Sequence, residues 1–181
     1  EQLPVKQALY RRLDETVSPY CVITSNTSTI PISLLVEGMP VSFAARFAIT
    51  HYFNPVRFMR LLELVRGANT DDAIIEKLAR FNDKTLGKGV VRCGDTPGFL
   101  GNRIGVYALQ VGLHEALNKG ISIEDADALV GRPLGIPKTG VFGLYDLIGV
   151  DHPGYLRGIH SALLLHRTLN QVAARQGSAA S

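Results

Sequence analysis

Two residues in the first half of the chain have types and a spacing that could move a proton. His51 stands near the end of the apolar run "RFAITHYF", and Glu63 stands inside the next apolar run, "RLLELV". A carboxylate among leucines and valines is costly to bury unless a partner satisfies it. A histidine can accept a proton from an alcohol when a carboxylate holds its other ring nitrogen as a donor. The pair is therefore a candidate for a general base and the group that orients it.

A purely structural interpretation of the same two residues is open at this point. His51 could be a core histidine with a satisfied ring, and Glu63 could lie on an exposed strand face. Spacing alone slightly favours this interpretation, because core histidines and solvated carboxylates are common in globular proteins.

Three further polar segments could contribute to a site. They are "SNTST" at 25–29, "DTPGFLGNR" at 95–103 with Asn102, and a Gly- and Pro-rich stretch from 131 to 151 that contains Lys138. Each also has an ordinary interpretation, as a turn, a helix cap or a solvated helix position. The sequence has no zinc-type cysteine and histidine spacing, no phosphate-binding loop and no nucleophile elbow. We therefore predict a mechanism without a metal.

The elements that would position these residues alternate between helices and strands. A helix is predicted from Val5 to Val17, followed by the strand "YCVITS" and a short helix or loop over 30–44. The strands "RFAITHYF" and "RLLELVRG" come next, and then an amphipathic helix capped by Asn69 or Thr70 and the strand "GVVRC". This alternation predicts an α/β layer with a largely parallel sheet.

After residue 94 the pattern becomes helical throughout. Helices are predicted over about 98–119, 122–130, 139–149 and 155–175, and Thr96 followed by Pro97 is a favourable helix start. We therefore divide the chain into an α/β domain over 1–94 and an all-α domain over 95–181.

Composition limits the classes of partner. The chain has 181 residues, of which 46% are hydrophobic and 19% charged, as in packed globular proteins. The net charge of +3 is small and dispersed, so we predict no nucleic-acid partner, and no apolar run is long enough to span a membrane. Cys21 and Cys93 lie in apolar runs, and we expect buried free thiols in a reducing, cytoplasmic compartment.

The order of the motifs resembles that of the L-3-hydroxyacyl-CoA dehydrogenase family. The matching segments are "SNTS", "HYFNPVRFMRLLELVRG", "LGKGVV", "DTPGFLGNR" and "GIPKTGVFGLYDLIGVD", and they run from residue 1 to about residue 151. The resemblance implies the C-terminal part of a Rossmann-type NAD-binding domain, followed by a helical domain for dimerisation and substrate binding. It also implies the NAD-dependent oxidation of L-3-hydroxyacyl-CoA to 3-ketoacyl-CoA in fatty acid β-oxidation.

The same resemblance implies roles for individual residues. His51 matches the catalytic base and Glu63 the carboxylate that orients it, while Ser28 and Asn102 match groups that hydrogen-bond the substrate oxygen. The residues that match the cofactor side of the family's site are Glu1, Lys6, Asn26, Ser28 and Asn54.

Two departures from the family pattern shape our expectations. The Gly-rich turn of the nucleotide-binding half would lie upstream of residue 1, and the family pattern fades after residue 151, where the helical domain looks truncated or altered. We therefore expect an incomplete chain that does not turn over by itself.

The partners implied are acyl-CoA and either a second copy bound through the helical domain or a larger multifunctional β-oxidation protein. Two alternatives stay open: a non-catalytic remnant that binds acyl-CoA or dimerises, and a related oxidoreductase acting on a sugar acid.

Overall fold

The structure, a computed structural model, describes residues 2–131, 133 and 140–144. The chain divides into two compact units, residues 1–100 and residues 101–181, and each is described by itself. The domain boundary between residues 94 and 95 stays a prediction.

The first unit is an α/β layer, as the alternation of elements predicts. Its helices are α1 (Leu3–Thr16), α2 (Ile32–Leu35), α3 (Val41–Ala45) and α4 (Asp72–Arg80), which continues into a π-helical turn, Phe81–Thr85. Its strands are β1 (Ile23–Ser25), β2 (Phe47–Tyr52), β3 (Leu61–Arg66) and β4 (Gly89–Cys93).

The sheet is largely parallel, as predicted, and contains one antiparallel pair. Its strand order is β1-β2-β3-β4, and β2 pairs with β3 in antiparallel orientation, while β1 with β2 and β3 with β4 are parallel. The connection between β2 and β3, residues 53–60, is too short for the crossover that a parallel pair needs. The turn at "NP" therefore folds β3 back directly beside β2.

Both faces of the sheet are covered by apolar side chains. On one face Phe47, Ile49 and Val65 pack with Phe43 and with Tyr10 of α1. On the other face Ala48 and Leu64 pack with residues of α4. Because side chains alternate along a strand, His51 lies on the same face as Phe47 and Ile49, at the carboxyl-terminal end of β2.

Two local predictions need correction. Asp71, rather than Asn69 or Thr70, caps α4, since its carboxylate accepts from a backbone amide at 2.9 Å. The Thr70 hydroxyl instead donates to the carbonyl of Phe47 at 2.7 Å and ties the start of the helix to β2. Cys21 and Cys93 are free, as predicted, but Cys21 is exposed because β1 begins only at residue 23.

The second unit contains α5 (Gly101–Lys119) and α6 (Ile123–Leu129). The predicted start of the first helix at residue 98 is wrong, because residues 97–100 form a turn. The carboxylate of Asp127 on α6 accepts from the amides of Phe142 and Gly143 at 2.7 and 2.9 Å, which fixes that later segment against the helix.

Most of the predicted helix over 139–149 and all of that over 155–175 lie outside the described residues. Within the described part of the chain, every helix is too short or too polar to cross a membrane.

Candidate active site

His51 and Glu63 form a buried pair across two strands. They are directly opposite each other in the antiparallel register of β2 and β3, so their side chains leave the sheet on the same face. Nδ1 of His51 lies 2.7 Å from Oε2 of Glu63, and the two residues are 4% and 0% exposed. The burial of Glu63 excludes the exposed strand position that its sequence context left open.

The pairing determines which ring nitrogen carries the proton. A carboxylate can only accept, so Nδ1 of His51 donates to Glu63, and Nε2 of the neutral ring is left as the acceptor. The Ser28 hydroxyl lies 3.1 Å from that Nε2. Ser28, His51 and Glu63 thus form one line of hydrogen bonds that ends at a hydroxyl group.

The second oxygen of Glu63 has its own donors. Oε1 accepts from the backbone amide of Leu100 at 2.8 Å and lies 3.8 Å from Sγ of Cys93, within hydrogen-bonding range for a thiol. Burial, together with the nearby Glu63 carboxylate, raises the pKa of the Cys93 thiol to about 11. Cys93 is therefore a protonated donor at neutral pH.

Two aromatic rings flank the imidazole. The ring centroid of His51 lies 4.6 Å from that of Phe53 and 5.7 Å from that of Phe99. Phe99 is buried and has a left-handed backbone with φ of 46°, an unusual conformation for a side chain of this size. This conformation belongs to the turn that brings the Leu100 amide to Glu63.

The segment that carries Ser28 is held at several points. The Asn26 carboxamide oxygen accepts from the amide of Tyr52, beside His51, at 2.9 Å. The Asp95 carboxylate accepts from the amides of Ile32 and Ser33 at 2.7 and 3.2 Å. These contacts connect the loop after β1 both to β2 and to the segment after β4.

A buried lysine donates hydrogen bonds to the backbone of the loop between β2 and β3. Nζ of Lys88, which is only 8% exposed, donates to the carbonyls of Val56 and Met59 at 2.5 and 2.8 Å. The Tyr52 hydroxyl donates to Asn82 in the π-helical turn at 2.5 Å, and burial raises the pKa of Tyr52.

The remaining predicted site residues lie at different places. Lys6 is half-buried on α1, and Asn54 is exposed in the loop after β2. Asn102 is the second residue of α5 and belongs to the second unit. Glu1 and Lys138 lie outside the described residues.

Sequence reasoning missed Cys93, Asp95 and Lys88 as parts of this arrangement. Asp95 lies in the segment "DTPGFLGNR" and Lys88 in "LGKGVV", but neither motif by itself indicates the role of these two residues. The alternation along β4 places Cys93 on the face of Glu63, but that signal needs the strand register.

Comparison with known proteins confirms the resemblance. The family model described as "3-hydroxyacyl-CoA dehydrogenase, NAD binding domain" matches residues 1–96, and that of the C-terminal domain of the same family matches residues 98–175. The chain is 42% identical over 151 residues, 83% of its length, to a putative fatty acid oxidation complex trifunctional enzyme of Rickettsia prowazekii, of which it covers 21%. It is 38% identical, again over 83% of its length, to the mitochondrial hydroxyacyl-coenzyme A dehydrogenase of Sus scrofa, of which it covers 47%.

Solved structures agree with this. The crystal structure of (S)-3-hydroxybutyryl-CoA dehydrogenase from Ralstonia eutropha superposes with a TM-score of 0.74 at 30% identity, over 89% of this chain and 55% of that one. The chain spans about a fifth to a half of the curated relatives named above. With both of its parts matched by models of one family, this chain belongs to the 3-hydroxyacyl-CoA dehydrogenase family.

Proposed function

We propose that this chain carries the catalytic centre of an NAD-dependent dehydrogenase that oxidises L-3-hydroxyacyl-CoA to 3-ketoacyl-CoA. The observation that carries the proposal is the line of hydrogen bonds from Ser28 through His51 to Glu63. It leaves one acceptor nitrogen, Nε2, beside a hydroxyl group, which is the geometry that proton removal from an alcohol requires.

In this proposal His51 is the general base. Nε2 accepts the proton of the substrate 3-hydroxyl, and the charge that develops on the ring is stabilised by Glu63, 2.7 Å from Nδ1. In the reverse direction the imidazolium returns the proton to the substrate oxygen. Burial of both side chains strengthens the interaction, because little water competes for either group.

Ser28 and Asn102 are proposed to bind the substrate oxygen. Ser28 has its hydroxyl within hydrogen-bonding distance of the base, so an oxygen that contacts Nε2 also comes within reach of Ser28. A hydroxyl and an amide are suitable donors to an oxygen that gains negative charge during reduction. Asn102 enters this proposal through its match to the family motif.

The residues proposed for the cofactor side are Glu1, Lys6, Asn26, Ser28 and Asn54. Asn26 and Ser28 lie in the loop that follows the carboxyl-terminal end of β1, where ligands bind in such sheets, and their amide and hydroxyl groups suit the carboxamide of a nicotinamide ring. Bound NAD supplies the acceptor for the hydride that leaves C3.

The reduction of acetoacetyl-CoA by NADH tests the proposal. It is measured with the chain of 181 residues and with a version extended upstream, each with and without His51→Ala. Turnover by the extended version that His51→Ala abolishes supports the proposal, and turnover that His51→Ala leaves intact overturns the assignment of the base. A panel that includes sugar acids separates this function from an oxidoreductase acting on a sugar acid.

A non-catalytic module is the other alternative. It predicts acyl-CoA binding or dimerisation but no His51-dependent turnover in any version of the chain. We further propose that the protein is cytoplasmic. We also propose that it acts either as a homodimer joined through its helical domain or within a multifunctional β-oxidation protein, as the trifunctional name of the Rickettsia relative suggests.

A further inference from the structure

The Glu63 carboxylate is held on the side that faces away from His51. Oε1 accepts a hydrogen bond from the Leu100 amide at 2.8 Å and lies 3.8 Å from Sγ of Cys93, while Oε2 faces the imidazole. We call Leu100 N and Cys93 Sγ together the carboxylate clamp. Both come from β4 and the turn that follows it, so the clamp acts on β3 from the side opposite to β2.

The strand register explains why Cys93 reaches Glu63. Cys93 is paired with Val65 in the parallel register of β3 and β4, so it is the diagonal neighbour of Glu63 on the same face of the sheet. Its thiol is half-buried, and its pKa of about 11 keeps it protonated. The protonated thiol has one proton to donate and two acceptors within reach, the Val91 carbonyl at 3.7 Å and Oε1 of Glu63 at 3.8 Å, and the charged carboxylate is the stronger acceptor.

We propose that Cys93 is a positioning residue: its thiol, with the Leu100 amide, fixes the Glu63 carboxylate and limits how strongly that carboxylate attracts the proton on His51. The physical reason is that every donor to a carboxylate takes up part of its charge and lowers its basicity. The inference deepens the proposed function, since it rests on His51 serving as the base.

The direction of the effect follows from the groups that face the pair. His51 from β2 and Cys93 from β4 are titratable groups that contact Glu63, and the ring of His51 also contacts the Ser28 hydroxyl. Removing the thiol leaves more charge on Glu63, so the imidazolium becomes more stable. The protonation of His51 should then occur at higher pH.

The experiment is an NMR titration of the His51 ring in the chain of 181 residues. The chain has five histidines, and the His51 signal is assigned by its absence in His51→Gln. Cys93→Ala and Cys93→Val both lack the donor but differ in volume, and Cys93→Ser keeps a donor. The exposed Cys21→Ser is the matched control.

We expect the titration midpoint of His51 to rise by about half a pH unit in Cys93→Ala and Cys93→Val, which is about a threefold change in the protonation constant. Cys93→Ser and Cys21→Ser should titrate as the wild type does. Midpoints in the two donor-free variants that coincide with the wild-type midpoint would overturn the proposal. An equal rise in Cys93→Ser would also overturn it, because side-chain size and not the donor would then be responsible.

The titration needs neither substrate nor cofactor. A shifted midpoint in a protein without His51-dependent turnover would support the clamp and count against the dehydrogenase. Turnover that depends on His51, together with unshifted midpoints, would support the dehydrogenase and overturn the clamp. In the active protein, the acidic limb of the pH profile of kcat/KM should move to higher pH with the same variants.

Discussion

Glu63→Gln removes the charge that faces His51 while keeping the size of the side chain. The amide can still accept from Leu100 through its oxygen, but its NH2 group then faces Nδ1. An NH2 donor favours the ring tautomer that has its proton on Nε2, and that nitrogen can no longer act as a base. The variant therefore removes both the orientation of the proposed base and the stabilisation of its charge.

The size of the effect follows from the 2.7 Å contact between Oε2 and Nδ1. The Coulomb energy between two unit charges at that distance is roughly 6 kcal/mol at an effective dielectric constant of about 20. Part of this is retained, because the glutamine remains polar. We expect a loss of about 3–5 kcal/mol in transition-state stabilisation, or about 10²- to 10⁴-fold in kcat.

The stability of the fold should change much less than the activity. A neutral amide costs less to bury than a carboxylate, and this offsets the weaker hydrogen bonds, so we expect the free energy of unfolding to stay within about 1 kcal/mol of wild type. The assay is the decrease of NADH absorbance with acetoacetyl-CoA, beside urea unfolding followed by circular dichroism. The activity is measured in whichever version of the chain turns over.

A glutamate on the surface provides the matched control. Glu76 on α4 forms an exposed ion pair with Arg92 at 2.7 Å, and the hydrogen bond from Arg92 lowers the pKa of Glu76. Glu76→Gln should leave kcat unchanged. The reasoning is refuted if Glu63→Gln retains kcat within about threefold of wild type, or if Glu76→Gln loses as much activity as Glu63→Gln.

The other predictions concern residues that support the site. Because the pKa of Cys93 is raised to about 11 from 9.0, the unfolded chain ionises this thiol first, so the stability of the wild type relative to Cys93→Val should fall as pH rises from 9 to 11 in urea unfolding. Iodoacetamide followed by mass spectrometry should label Cys21 in the native protein well before Cys93. Lys88→Met removes the donor to two carbonyls of the loop after β2, so it should lower the free energy of unfolding by about 1–3 kcal/mol and speed hydrogen exchange in residues 56–60. Asp95→Ala removes the acceptor for two amides at the start of α2 and should cost about 1 kcal/mol in urea unfolding, whereas Asp95→Asn, which keeps one acceptor, should cost less.

Local patterns in the sequence were sufficient for most elements of the first unit. The alternating and continuous apolar runs identified all four strands, and the amphipathic period identified α1 and α4. The cap of α4 was misplaced because Asn69, Thr70 and Asp71 are all favourable capping residues, and only the contact of Thr70 with the carbonyl of Phe47 decides among them. The alternation of elements predicts a largely parallel sheet, which two of the three strand pairs confirm, and the short connection after "NP" accounts for the antiparallel pair.

The sequence by itself determined that His51 and Glu63 lie in neighbouring apolar runs, and the order of the motifs indicated the family. Only the tertiary structure decided that the two residues face each other, because a shift of one residue in the register of β2 and β3 would turn Glu63 to the opposite face. It also decided which donors hold the second oxygen of Glu63. Leu100 and Cys93 lie 37 and 30 residues further along the chain, and their approach depends on the strand order and on the left-handed turn at Phe99. Those features arise from the packing of the whole unit, which no local pattern of residue types records.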